Sequence, residues 1–326
     1  MLELPQKTAI GSAHSKLILV GEHAVVYGEP AIALPFPSIH VKSVVTPHKG
    51  PVLLESNFYV GPLSSIPEKL KGIAACIEQT CKKLNKEPNH FRMYIKSTIP
   101  IGRGLGSSAA IAIAVVRSLY NFFNHPLDKS DLLALVHLAE TYAHGTPSGI
   151  DMEAVSSDVP IWFEKEKSIE EVEINQAFHL VVADTGRIGD THAAIASIKE
   201  KYKSITAQTK QSIKLLGHLT KEAKKALQDG NPLILGDILN RAQKELVSLG
   251  VSDAGIDHLV KIAHQAGALG AKLTGGGRGG CIIALAKHAA HAKTLAERFL
   301  HAGAAQTWHF QIGQGEEQYT TSVSGS

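Results

Sequence analysis

Residues 100–110 combine three alternating glycines with two adjacent serines, a combination suited to binding phosphate. In order they are Pro100, Ile101, Gly102, Arg103, Gly104, Leu105, Gly106, Ser107, Ser108, Ala109 and Ala110. Glycine lets a backbone adopt positive φ and approach a ligand closely, and the apolar run that follows predicts a helix over residues 109–123. A helix start offers unpaired N–H groups and the positive end of the helix dipole, which together bind anions. The segment therefore predicts a phosphate site.

The glycine spacing of this segment differs from the two common nucleotide-binding fingerprints. No Gly-Lys-Ser/Thr follows at the interval that a P-loop requires, and the segment contains no lysine. No third glycine falls in register for a dinucleotide-binding turn. A flexible turn is the alternative interpretation, and the pair of serines at the start of the helix favours phosphate binding.

Three other stretches place ionisable side chains beside glycine or proline. They are residues 15–28, which contain Lys16, Glu22 and His23, residues 145–151, which end at Asp151, and residues 272–281, which contain Arg278. Each has an ordinary structural alternative when it is taken alone. Asp151 would cap a helix, Lys16 would lie at a strand edge, and His23 would be a structural histidine with its hydrogen bonds satisfied.

The elements predicted around these residues come from hydrophobic periodicity. Residues 91–97 alternate between apolar and polar side chains, which predicts a half-buried strand running directly into the glycine-rich segment. Asp128 is predicted to cap a helix that reaches His144. Glu140 lies in that helix on the same row as two apolar residues, so its side chain is not expected to point simply into solvent.

The remaining elements predict two domains and an α+β fold. The composition becomes charged near residues 164–173, so the boundary is placed there, with domains at 1–174 and 175–313 and a polar, disordered tail at 314–326. Short strands are predicted at 16–20, 31–34, 41–46 and 51–59, and a helix at 67–84. In the second half, strands are predicted at 178–184, 282–285 and 307–312, and helices at 191–202, 210–228, 232–249, 254–266 and 288–302.

The bulk composition excludes several classes of protein. The 326 residues carry a formal net charge of +3 with lysines scattered among acids, so no nucleic-acid-binding surface is expected. The three cysteines have no metal-ligand spacing and suggest neither a disulfide framework nor a zinc site. Residues 109–116 form the longest apolar run, which is too short to span a bilayer. A soluble, cytoplasmic protein is expected.

Taken in order, the glycine-bearing stretches at 16–28, 100–110, 146–151 and 272–281 resemble the GHMP kinase superfamily, which includes galactokinases, homoserine kinases, mevalonate kinases and phosphomevalonate kinases. The resemblance covers nearly the whole chain. Residues 15–28 are similar to the mevalonate kinase branch, because galactokinases carry a Gly-Glu-His-Thr-Asp-Tyr version of this turn. The resemblance implies an N-terminal domain like ribosomal protein S5 domain 2 and a ferredoxin-like C-terminal domain.

The resemblance also implies a role for individual residues. ATP would be held by the backbone of residues 102–108, with a serine nearby, and Mg²⁺ would be bound by a serine hydroxyl and a glutamate. Asp151 would be the catalytic carboxylate that faces the substrate hydroxyl, with Lys16 beside it at the transferring phosphoryl group. The implied sets are Ser97, Gly102, Arg103, Gly104, Leu105, Gly106, Ser107 and Ser108 for ATP, Ser108 and Glu140 for Mg²⁺, and Lys16, Glu22, His23, Asp151 and Thr191 for mevalonate.

The function implied by the resemblance is phosphorylation of the 5-hydroxyl of mevalonate with ATP. Another small-molecule kinase of the superfamily, acting on phosphomevalonate or homoserine, is the nearest alternative. A nucleotide-binding relative without catalysis is a second alternative, although binding alone needs no carboxylate at the phosphoryl acceptor. The expected partners are the two small substrates, with no nucleic acid and no membrane, and a homodimer is compatible with the chain.

Overall fold

The computed structural model describes residues 8–144, 147–204, 206–314 and 321–324. The chain forms two compact units, each assembled from three separate segments. The first unit comprises residues 1–16, 39–100 and 106–158, and the second comprises residues 17–38, 101–105 and 159–326. The single boundary between residues 174 and 175 stays a prediction about domains, because the compact units interleave along the chain.

Among its described residues, the first unit contains parts of two long strands and three shorter strands. The strands are β1 (Ala9–Val20), β2 (Ala31–Pro51), β3 (Leu53–Ser56), β4 (Tyr59–Pro62) and β5 (Asn89–Ser97). The second half of β2 pairs antiparallel with β5, β5 pairs parallel with β3, and β3 forms a hairpin with β4. Residues 17–20 of β1 and residues 31–38 of β2 belong to the second unit.

Four α-helices lie among the described residues of the first unit. They are α1 (Lys71–Lys83), α2 (Ser107–Phe122), α3 (Lys129–His144) and α4 (Ile150–Ser156). The predicted cap of α3 is confirmed, because the Asp128 carboxylate accepts a hydrogen bond of 2.7 Å from the backbone N–H of Asp131. The loop predicted at 145–151 gives way to α4 at Ile150, and positions 145 and 146 lie outside the described residues.

Within the described residues, the second unit has five α-helices, and seven strands begin and end in it. These strands are β6 (Ile161–Phe163), β7 (Glu170–Glu171), β8 (Phe178–Asp184), β9 (Gly270–Thr274), β10 (Cys281–Ala286), β11 (Gln306–Ile312) and β12 (Thr321–Ser324). The last five form an antiparallel sheet in the order β12-β11-β8-β10-β9, whereas β6 pairs with β7 and with residues 31–33 of β2. Its helices are α5 (Thr191–Ser204), α6 (Thr206–Gln228), α7 (Pro232–Leu249), α8 (Ala254–Gln265) and α9 (Ala289–His301).

The structure corrects the prediction for the C-terminal tail. Residues 321–324 form β12, which pairs antiparallel with β11, so the predicted disorder is wrong for this stretch. Positions 315–320 and 325–326 lie outside the described residues. None of the helices in the described part of the chain is both long enough and apolar enough to cross a membrane.

Candidate functional site

Two ionisable side chains of the first unit meet in an ion pair that the sequence analysis expected. The Lys16 Nζ lies 2.8 Å from the Asp151 Oδ1, and we call these two residues the first-unit pair. Strand β1 carries Lys16 among buried residues, leaving its side chain only 2% exposed, whereas the Asp151 side chain is 37% exposed. The lysine charge is therefore held by the protein, while the carboxylate remains open to an incoming molecule.

The structure tests the capping alternative for Asp151. The helix cap of α4 is Gly149, which makes no side-chain capping bond, and Asp151 lies inside the first turn. Its carboxylate is directed to Lys16 rather than to the backbone N–H groups at the helix end. The capping alternative is therefore wrong, and so is the strand-edge alternative for Lys16, which is buried.

Helix α2 starts directly beside the lysine of this pair. Its cap is Gly106, which has a positive φ of 73°. A Cβ atom at this position would lie 2.9 Å from the Cγ of Lys16 and 3.2 Å from a methyl group of Val155. Only glycine therefore allows the lysine stem to pack against the helix start, where first-turn N–H groups have no partner within the helix.

The side chains of Ser108 and Glu140 form a second polar contact in the same unit. Helix α3 directs Glu140 inward, where it is 3% exposed. Burial raises the pKa of Glu140 to about 7, and the negative charge of Asp151 adds to that rise, while a hydrogen bond from Ser108 and the charge of Lys16 oppose it. A serine hydroxyl next to a carboxylate is a hard oxygen donor set that suits Mg²⁺, and a cation there would hold Glu140 ionised.

The glycine loop, which we define as residues 101–105, belongs to the second unit. The N–H of Gly189 donates a hydrogen bond of 2.7 Å to the carbonyl of Gly102. Gly104 packs against the backbone at Gly275, where a Cβ atom would lie 2.8 Å from the Cα of Gly104. The Arg103 Nε donates to both carboxylate oxygens of Asp184, at 2.7 and 2.9 Å.

The turn after β1 is fixed by a second lysine–carboxylate contact. Glu22 forms an ion pair with Lys272 of β9, which we call the second-unit pair, and both side chains are at most 1% exposed. The Lys272 ammonium also donates a hydrogen bond of 2.6 Å to the carbonyl of Leu273. Burial lowers the pKa of Lys272, and the Glu22 carboxylate opposes that shift. Neither charge of this pair is open to solvent.

His23 is held in the same turn in one protonation state. Its Nε2 donates a hydrogen bond of 3.1 Å to the carbonyl of Gly276, which fixes the tautomer because a carbonyl can only accept. Burial, together with the nearby positive charges of Lys272 and Arg278, lowers the pKa of His23 to about 4, although the hydrogen bond to Gly276 opposes this shift. The residue has a positive φ of 63°, a conformation that non-glycine residues adopt only when their surroundings impose it.

Two of the other residues singled out in the sequence make hydrogen bonds to the backbone, and the side chain of a third is not among the described parts of the structure. Ser97 accepts a hydrogen bond of 3.1 Å from the N–H of Ile99 and shapes the turn after β5. Thr191 begins α5, and its side chain lies outside the described part of the structure. The Nε of Arg278 donates to the carbonyl of Gly250 at 3.2 Å.

Sequence reasoning missed two charged residues that organise the second unit, Lys272 and Asp184. Lys272 interrupts the apolar run of β9, and a lysine within a buried strand was the available signal for an internal ion pair. Asp184 ends β8 after six less polar residues, a position that gives no sign of its distant partner Arg103.

Comparisons with known proteins identify the family of this chain. The family model for the GHMP kinases N terminal domain matches residues 70–157, and the model for the GHMP kinases C terminal matches residues 223–305. Mevalonate kinase of Pyrococcus horikoshii is 32% identical over 301 residues, covering 86% of this chain and 89% of that protein. Mevalonate kinase of Aeropyrum pernix is 33% identical over 295 residues, covering 86% of this chain and 90% of that protein.

The fold is shared with solved members of the same group. The crystal structure of L. major mevalonate kinase in complex with R-mevalonate matches 96% of this chain and 98% of its own, with a TM-score of 0.82 and 23% sequence identity. The predicted α+β class and two-domain GHMP kinase fold are therefore confirmed. With relatives above 30% identity along most of its length, the chain belongs to the mevalonate kinase family of the GHMP kinases.

Proposed function

We propose that this chain transfers the terminal phosphoryl group of ATP to the 5-hydroxyl of (R)-mevalonate, giving 5-phosphomevalonate and ADP in the mevalonate pathway of isoprenoid biosynthesis. The observation that carries the proposal is the first-unit pair, in which Lys16 lies 2.8 Å from a carboxylate that is still open to solvent. Family membership supplies the substrate class, and this pair supplies the groups that the reaction needs.

Asp151 is proposed to orient the substrate hydroxyl and to accept its proton late in the reaction. A carboxylate has a pKa of about 3.9 and an alcohol one near that of water, about 15.7, so the two differ by about 12 pH units. Forming a free alkoxide first would therefore require about 16 kcal/mol. The proton must instead move as the new bond to phosphorus forms, which suits a loose transition state that asks for positioning and little covalent chemistry.

Lys16 is proposed to hold Asp151 in place and to offset negative charge on the transferring phosphoryl group. Two unit charges about 4 Å apart attract each other by about 4 kcal/mol at an effective dielectric constant near 20. Since Lys16 is 2% exposed, its ammonium group is already ordered before substrate arrives. Because the ammonium group is already in position, it can stabilise the negative charge of the transition state without having to move first.

The ATP phosphates are proposed to lie on the backbone of residues 102–108, and Mg²⁺ on Ser108 and Glu140. Bound Mg²⁺ would neutralise charge on the phosphate oxygens. Among the described residues there is no group of three or more His, Cys, Asp or Glu side chains arranged to hold a metal ion. A site made of one hydroxyl and one carboxylate therefore leaves the remaining positions to phosphate and water, as Mg²⁺ prefers.

The substrate contacts proposed for Glu22, His23 and Thr191 are constrained by what the first two already bind. Glu22 is paired with Lys272, so its carboxylate already holds the turn in place and can contact the substrate only while it keeps this ion pair. His23 is neutral and donates through Nε2 to Gly276, so its Nδ1 is the atom that can accept a hydrogen bond. An acceptor suits a substrate hydroxyl rather than a carboxylate.

The proposal is tested by measuring ADP release with mevalonate, phosphomevalonate, homoserine and galactose as alternative acceptors. We expect turnover with mevalonate alone, and its loss in Asp151→Asn. Asp158→Asn is the matched control, because that side chain is 96% exposed and belongs to the same unit. Turnover confined to phosphomevalonate would overturn the substrate, and no turnover with any acceptor would favour a non-catalytic nucleotide-binding protein.

A further inference from the structure

The glycine loop carries an arginine whose side chain is bound within the second unit. The Arg103 guanidinium is 13% exposed and the Asp184 carboxylate 5% exposed. The Nε of Arg103 lies within 2.9 Å of both carboxylate oxygens, so one N–H is shared between them. Charge-assisted hydrogen bonds of this length are among the stronger polar contacts in proteins.

The carboxylate of this contact is itself fixed on a rigid element. Asp184 is the last residue of β8, which is hydrogen-bonded on one side to β10 and on the other to β11. Its Oδ1 also accepts a hydrogen bond of 2.8 Å from the backbone N–H of Gly186. The acceptor that binds Arg103 is therefore anchored by a five-stranded sheet and by the turn that follows β8.

We propose that the Arg103–Asp184 ion pair is a positioning device that holds the glycine loop in its phosphate-binding shape, and that Arg103 acts through Asp184 rather than as a phosphate ligand. The inference rests on the proposed ATP-dependent function of the loop. It assigns to Asp184, far from the loop in sequence, a role in binding the nucleotide.

The composition of the loop explains why such an anchor is useful. Gly102 and Gly104 both adopt positive φ, and glycine loses more conformational freedom on ordering than any other residue. The hydrogen bond from Gly189 fixes the carbonyl of Gly102, and the contact with Gly275 limits the position of Gly104. Arg103 adds a charged side-chain restraint on this glycine-flanked stretch, next to Leu105, whose side chain is buried. A loop ordered in advance binds its ligand without losing that freedom at the moment of binding.

The geometry calls for arginine in particular. The guanidinium is planar, and its Nε–H lies between the two oxygens of one carboxylate, so the contact fixes orientation as well as distance. A lysine would provide the charge as a flexible point and would leave the loop freer to turn. Arg103→Lys should therefore weaken ATP binding less than Arg103→Ala does.

The test compares Arg103→Ala, Asp184→Asn and the double variant in the full-length protein. We expect each single variant to raise the KM for ATP, and the Kd for Mg-ATP measured without acceptor, by about tenfold, the scale of one charge-assisted hydrogen-bonded contact. The KM for mevalonate should stay unchanged. The double variant should be no worse than either single variant, because both remove the same contact. Asparagine at position 184 keeps an oxygen that can accept from Gly186.

Two outcomes would overturn the inference. If Arg103 contacted phosphate itself, Arg103→Ala would weaken ATP binding while Asp184→Asn would leave it unchanged. If the pair were merely structural, both variants would lower the melting temperature and the active fraction without changing either KM. Arg241→Ala is the matched control, since it removes a more exposed ion pair with Glu222 in the same unit and should leave ATP binding unchanged.

The proposed function and the positioning role of the ion pair can fail separately. Absence of turnover with mevalonate in the wild-type protein would reject the proposed function, whereas the Kd for Mg-ATP would still test the ion pair. Turnover by the wild-type protein, with unchanged ATP binding in Asp184→Asn and Arg103→Ala, would reject the positioning role alone.

Discussion

Among the described residues, each unit has one buried lysine paired with a carboxylate, and the two pairs differ in how far their carboxylates are open to solvent. In the first-unit pair, Lys16 is 2% exposed but Asp151 is 37% exposed. In the second-unit pair, Lys272 is fully buried and Glu22 is 1% exposed. The same two chemical groups therefore form one pair that a substrate can reach and one that is closed.

The difference separates a reactive arrangement from a supporting one. A closed ion pair loses the hydration of both charges, and breaking it leaves one charge buried without compensation. Removing the lysine from a pair with an open carboxylate has no such penalty, because water hydrates the carboxylate that is left. Loss of Lys16 should therefore lower turnover with little effect on folding, whereas loss of Lys272 should affect folding first.

The largest effect is expected from Lys16→Met, which keeps the length of the side chain and removes its charge. We expect kcat to fall by about 10³-fold, in the range for loss of a group that acts in the transition state. The free energy of unfolding should change by less than about 1 kcal/mol, because Asp151 can be hydrated. Steady-state kinetics and urea denaturation measure the two quantities. A large loss of stability with normal kcat in the folded fraction would reverse the comparison.

The same substitution in the other pair, Lys272→Met, should produce the opposite pattern. Glu22 would be left buried without its counter-charge, which typically destabilises a protein by about 3–5 kcal/mol. Urea denaturation checks this, and the double variant Glu22→Gln with Lys272→Met should recover part of the loss. A change in unfolding free energy below about 1 kcal/mol would show that the second-unit pair is not a supporting contact.

A smaller and pH-dependent effect is expected from His23, which lies next to the second-unit pair in the chain. Its pKa falls from 6.5 in the unfolded chain to about 4 in the folded protein. Between these values the unfolded chain binds more protons, so stability is fully present above pH 6.5 and is lost as the pH falls towards 4, by at most about 3 kcal/mol. His23→Gln should flatten this dependence in denaturation curves recorded from pH 4 to pH 7. An unchanged slope would show that His23 is not buried as a neutral side chain.

The smallest effect is expected from Glu140→Gln in the first unit. Glutamine keeps the shape of the side chain but loses the charge that would bind a cation, so we expect the Mg²⁺ concentration for half-maximal activity to rise about tenfold, or about 1.4 kcal/mol. A Mg²⁺ titration at saturating ATP measures it, with Glu153→Gln as the control within the same unit. An unchanged titration would remove Glu140 from the proposed metal site.

Elements with clear end signals could be predicted from the sequence. The bounds of α7 match the prediction of 232–249, because Asn231 caps the helix, Pro232 starts it and Gly250 ends it in a left-handed conformation. Strand β8 also matches its predicted range, 178–184. Helix α4 was missed because it has only seven residues and begins directly after Gly149, which predicted a loop.

The candidate site could be predicted only in part, because several of its contacts join residues that are far apart in the sequence. The contact between Lys16 and Asp151 was expected from the family resemblance, and the structure confirms their proximity. The contacts of Lys272 with Glu22 and of Arg103 with Asp184 join residues 250 and 81 positions apart. Each pair joins a strand residue of the five-stranded sheet to a loop or turn residue far away in the chain, a contact that the local periodicity of a sequence does not encode.

We expect the open carboxylate of the first-unit pair to serve the chemical step. The most direct measurement is the single-turnover rate of phosphoryl transfer by Asp151→Asn, with the enzyme saturated with Mg-ATP and mevalonate, alongside the Kd for ATP. We expect the rate to fall by at least about 10³-fold while the Kd changes less than about threefold. A single-turnover rate close to that of the wild-type protein would contradict the account.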